Sequence, residues 1–101
     1  MTIKIHIDRH GNPPGKLADA ELHFWDGPLE GLKLIGFAVW ERHGSVDGYH
    51  VTFPTRVYSV QGERRSFALL RPIADTTGQS TIRELILSAY MEHTKKPISE
   101  W

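Results

Sequence analysis

Apolar and polar residues alternate from the start of the chain: in "TIKIHI", Ile3, Ile5 and Ile7 are separated by Lys4 and His6. A period of two predicts a β-strand with one buried face. "DRHGNPPG" then gathers Asp, Gly, Asn and two prolines and reads as a loop. In "KLADAELHFW", Ala18, Ala20, Leu22 and Phe24 alternate with Asp19, Glu21, His23 and Trp25, which predicts a second strand antiparallel to the first. "DGPLEG" is a turn.

The next stretch, "LKLIGFAVWE", is apolar on both parities, with Ile35, Phe37 and Val39 on one and Leu34, Ala38 and Trp40 on the other. Such a strand is central and covered on both faces, or meets another subunit with one of them. "RHGSVDG" carries an Asp-Gly turn signal. In "GYHVTFPTR", Tyr49, Val51 and Phe53 share one face and His50 and Thr52 the other. Pro54 has no N–H for a ladder, so it ends that strand or sits at a free edge. "TRVYSVQGERR" reads as a polar, basic loop with some extension at Val57-Tyr58, and "SFALLRPI" as a further strand ended by Pro72.

The last element has a different period. In "TIRELILSAYMEH", Ile82, Leu85, Ile86, Ala89 and Tyr90 recur at the spacing of one helix face. Thr81 and Glu84 fit a capping box at its start, and Pro97 closes it ahead of a loose tail over 95–101. About five strands followed by one helix predict an α+β domain: an antiparallel sheet with a C-terminal amphipathic helix packed on it.

Composition narrows this only slightly. A chain of 101 residues supports one domain, 1–101, with a thin core that a partner copy would help to cover. There is no cysteine, hence no disulfide and no thiolate metal site. The start lacks the basic and apolar runs of a signal peptide, and no stretch is long enough to span a membrane, so the expected compartment is the cytoplasm. Lys+Arg and Asp+Glu balance at 12 each. Dedicated nucleic-acid binders usually carry a basic excess, so any positive patch must come from uneven distribution.

Candidate chemistry is sparse. His6, His10, His23, His43, His50 and His93 show no ligand spacing, although His6, His23 and His50 fall on the polar parity of three strands. No serine sits in a nucleophile elbow, and the Thr76–Thr81 run before the helix lacks the paired glycines and the lysine of a Walker loop. No carboxylate pair stands out. The expectation is a protein that is not an enzyme and that uses no metal or cofactor. The basic residues are more informative. Arg56, Arg64, Arg65, Arg71 and Arg83 crowd the second half, with Tyr49, Tyr58 and Trp40 near in sequence. Guanidinium groups beside aromatics suit phosphate contacts combined with base stacking. The plainer reading is a solvated rim, partly neutralised by Glu63 and Glu84.

From Leu32 to Tyr90 the order of these motifs resembles the SpoVG family, small bacterial regulators first linked to sporulation and septation. The resemblance is carried by Asp47-Gly48, the strand Tyr49 to Phe53, Pro54-Thr55-Arg56, Gly62-Glu63, Pro72-Ile73, and the helix positions Ile82, Ile86, Leu87 and Tyr90. Thr55 stands where the family usually has serine, and Val57 where it often has a second cation. The resemblance implies a homodimer that binds DNA or RNA, with the doubly apolar strand Ile35 to Trp40 suited to self-association. It places Pro54 at a surface edge, with Thr55 and Arg56 approaching one phosphate and Arg71 and Arg83 extending the patch; Arg64 and Arg65 join the expected nucleic-acid site from the reading of the basic residues. The competing expectation is a protein-interaction module without nucleic acid, favoured by zero net charge and by Trp25 and Trp101.

Overall fold

Residues 1–8, 13–42 and 48–94 are described by a computed structural model. His10, His43, Asp47 of the expected turn, Pro97 and Trp101 lie outside the described residues. Alternation at the start of the chain gives β1 (Thr2–Ile7) and β2 (Lys16–His23), paired antiparallel with Ile5 opposite Ala20 and Ile3 opposite Leu22. Ala18, Ala20 and Leu22 are buried on the inner face of β2. A short 3-10 turn, Gly27–Leu29, leads into β3 (Lys33–Glu41), and β4 (Tyr49–Thr52) completes a sheet of order β1-β2-β3-β4.

β3 is the inner strand that its two-sided apolar pattern predicts, but its outer side is covered only in part, with Ala38 buried, Trp40 half-buried and Ile35 open. Phe37 and Val39 are fully buried, whereas Ile35 on the outer face is 58% exposed. The register explains the apparent parity. Between Ala20 and Leu22 of β2 there is one residue, while between their partners Phe37 and Leu34 there are two, Ile35 and Gly36. This bulge lets Leu34 and Phe37 both face inward. Gly36 makes it possible by adopting a φ of +106°, a region that side-chain-bearing residues avoid.

The helix α1 (Thr77–Thr94) packs across β1, β3 and β4. Ile86 is fully buried in the cluster formed by Ile5, Leu22, Phe37, Val39 and Val51. Tyr90 meets Tyr49 edge to face at 5.4 Å, and Phe37 meets Phe53 in the same way at 5.2 Å. Each such side chain contributes about 1.5–3 kcal/mol when fully buried. Leu85, assigned to the apolar face by its spacing, is 42% exposed. The helix also starts one turn earlier than the Thr81–Glu84 box implies. Asp75 Oδ1 accepts the Thr77 N–H at 2.9 Å, and the Thr81 hydroxyl donates to the Thr77 carbonyl at 3.0 Å, inside the helix. The Thr77 N–H, with the Thr77 hydroxyl, holds the Asp75 carboxyl below its ordinary value.

The chain is therefore α+β with one C-terminal helix packed on an antiparallel sheet. The described residues hold six strands rather than about five because the stretch read as a basic loop contains a strand of its own and the start of the next, with which it pairs. β5 (Thr55–Val60) and β6 (Glu63–Ala68) form a separate two-stranded sheet. No helix among the described residues is long and apolar enough to cross a membrane.

Candidate nucleic-acid interface

The β5–β6 hairpin carries three of the five arginines singled out in the sequence. Its turn is Gln61-Gly62, with φ of +51° and +83°. Two positive φ values in a two-residue loop belong to the primed turns that match the right-handed twist of a hairpin. Val60 faces Glu63 across the turn, and the ladder runs back to Thr55 opposite Ala68. The Leu69 N–H donates to the Pro54 carbonyl at 2.8 Å and closes the base. Pro54 itself is buried, with Gly36 of β3 against it. The proline thus does not end a strand at a surface edge. It forms the joint at which the chain leaves the main sheet and enters the hairpin.

Register decides which arginines share a face. Residues directly opposite in an antiparallel pair lie on the same side. Arg56 is opposite Phe67, Tyr58 opposite Arg65, and Val60 opposite Glu63, so these six occupy one face. Thr55 with Ala68, Val57 with Ser66, and Ser59 with Arg64 occupy the other. Arg56 and Arg65 therefore stand together, interleaved with Tyr58 and Phe67, whose rings pack at 5.6 Å. Arg64 points the opposite way. Thr55 and Arg56, expected to approach a single phosphate, are on opposite faces because neighbours along a strand alternate. All of β5 is exposed, as is β6 up to Phe67.

The charge of this arm is uneven. It holds three arginines and one glutamate, a net of +2, in a chain whose total is zero. Arg65 Nη2 lies 3.0 Å from Glu63 Oε2, an exposed pair worth little. Among the described residues neither Arg56 nor Arg64 has a carboxylate partner.

The other two arginines are elsewhere. Arg83 lies on α1 with its guanidinium 5.6 Å from the centroid of Phe53, a cation–π contact. Arg71 comes after β6 in the chain and lines an apolar cleft beside the first turn of α1. The five guanidiniums therefore form an arm with two cationic faces, plus two separate sites.

One polar cluster has no sequence motif behind it. On the outer face of β1 and β2, His23 Nε2 donates to Glu21 Oε1 at 2.9 Å, and His6 Nε2 lies 3.5 Å from Oε2. Lys33 Nζ reaches Oε1 at 3.4 Å. The His23 bond, joined by Lys33 and His6, holds the Glu21 carboxyl at about 2 against an opposing contribution from burial. His50 sits on β4 opposite Trp40 and does not join them. Among the described residues no three His, Cys, Asp or Glu side chains are arranged to hold a metal ion. The alternation of β2 places Glu21 and His23 on one face, but the approach of Lys33 depends on register.

Comparison with known proteins returns no match: no family model, no curated protein and no solved structure matches the chain.

Proposed function

We propose that this chain is a dimeric nucleic-acid-binding regulator of the kind that the SpoVG resemblance implies. The observation that carries the reading is the exposed β5–β6 arm, on which Arg56 and Arg65 share a face with Tyr58 and Phe67. Guanidiniums supply charge-assisted bonds to phosphate, and the aromatic faces between them offer stacking to unpaired bases. Arg64 on the reverse face gives the arm a second point of phosphate contact. The arm is narrow, as two-stranded ribbons that enter grooves are. Self-association is supported by the exposed Ile35 on the outer face of β3 and by the position of β4 at the end of the strand order.

Mobility-shift titrations of wild type and Arg56→Ala/Arg65→Ala, on single-stranded and duplex oligonucleotides at two salt concentrations, test the reading. Wild type retards nucleic acid at low salt and loses it at high salt, and the double variant binds more weakly at both. Absence of any retardation by wild type at low salt contradicts it.

A second reading, a protein-interaction module, draws on the exposed Ile35, Leu69 and Ile73. A stable protein partner recovered without nuclease-sensitive material, from a chain that shifts no oligonucleotide, selects it.

A further inference from the structure

At the end of the molecule where α1 begins, the inner face of the sheet and the segment after β6 form a cleft of about 500 Å³ that is open to solvent on one side. Leu22, Phe24, Leu34, Leu70 and Ile82 form its apolar walls. Its size falls in the range of small-molecule sites, roughly 300–1,000 Å³. The chain does not fill it from its own side chains. Ile73, next to the lining residue Pro72, is fully exposed instead.

The charged side chains that line the cleft have one sign. They are Lys33 and Arg71, with no carboxylate among them. Lys33 shares its ammonium with Glu21. Arg71 is exposed and, among the described residues, has no carboxylate partner. The neutral polar side chain in the lining is Gln79. A nucleotide or sugar would find too few hydrogen-bond partners here and would lose its hydration without compensation. An apolar body would not, and a negative head beside Arg71 would gain a charge-assisted bond at the mouth.

We infer that this cleft binds an amphipathic monoanion, a medium-chain acyl or small aryl carboxylate, with its apolar part against Leu34, Leu70 and Ile82 and its carboxylate on Arg71. The inference does not rest on nucleic-acid binding, and its test can succeed or fail on its own.

Isothermal titration of the full chain with decanoate and with decyltrimethylammonium, each below its aggregation threshold, distinguishes charge recognition from general stickiness. Methyl NMR on Leu34, Leu70 and Ile82 locates the ligand. The expected result is one decanoate per chain, bound at least about tenfold more tightly than the cation, with shifts at those methyls. Arg71→Glu, an exposed change whose fold is checked by circular dichroism, reverses the order of preference. The inference is overturned by no saturable decanoate binding, by equal binding of both amphiphiles, or by an unchanged preference in Arg71→Glu. It is also overturned if the methyls shift with protein concentration alone and decanoate does not compete, because a second copy then fills the cleft.

Discussion

Gly36 and Pro54 meet so closely that a Cβ placed on Gly36 would stand 2.7 Å from the Pro54 Cβ. Gly36 also holds a φ of +106°. The bulge in β3 and the joint that launches the hairpin are therefore one contact. Gly36→Ala is expected to cost on the order of 1–3 kcal/mol from backbone strain, before the displacement of Pro54 is counted. For a domain of this size that lowers the melting temperature by roughly 5–15 °C. Thermal unfolding monitored by circular dichroism measures it. An unchanged midpoint would mean that neither the φ nor the contact constrains the fold.

The hairpin depends on its turn. Gln61 at φ +51° has a conformation that, among residues with a side chain, asparagine tolerates well and proline cannot adopt. Gln61→Asn should sharpen the arm, and Gln61→Pro should break it while leaving all three arginines in place. Cross-strand backbone NOEs between Arg56 and Phe67 report whether the ladder survives. Oligonucleotide affinity should fall in the proline variant if register, and not charge alone, makes the surface.

Glu21 gives the molecule an acid limit. Its carboxyl titrates at about 2 in the folded chain, against an ordinary value of 4.5. A lowered carboxylate pKa stabilises the fold fully above about pH 4.5, and this contribution disappears as the pH falls toward 2. Melting temperatures measured stepwise from pH 6 to pH 2 should fall through that window. The gap between wild type and Glu21→Gln should narrow over the same range. A constant gap would mean that the His23, Lys33 and His6 contacts do not persist in solution. Asp75, lowered by the Thr77 N–H, adds a slope that Glu21→Gln leaves intact.

How much of this was legible in the sequence depends on what each residue's signal reports. Alternation located β1 and β2 because one face of each is buried and the other is wet. The helix was legible from Ile82 onward, but its first turn, Thr77-Gly78-Gln79-Ser80, contains no apolar residue to set a period. The bulge was hidden because strict alternation assigns Leu34 and Phe37 to opposite faces. A glycine inside a strand pattern was the available clue. β5 and the first half of β6 were obscured for a physical reason: an arm exposed on both sides need not alternate, so "TRVYSVQGERR" looks like a loop, and the strand read in "SFALLRPI" is set too late, since β6 ends at Ala68. The arginines of the candidate interface were visible as a group, but which of them share a face is set by pairing register, which depends on the position of the turn.

The most direct test of the central claim is the salt dependence of binding. Fluorescence anisotropy of a labelled oligonucleotide would be measured for wild type and for Arg56→Gln/Arg64→Gln/Arg65→Gln. If the arm neutralises three phosphates, log affinity against log salt has a slope of about −2 to −3 per arm, and the triple variant approaches zero. No wild-type binding at low salt, or the same slope in both proteins, would contradict the account.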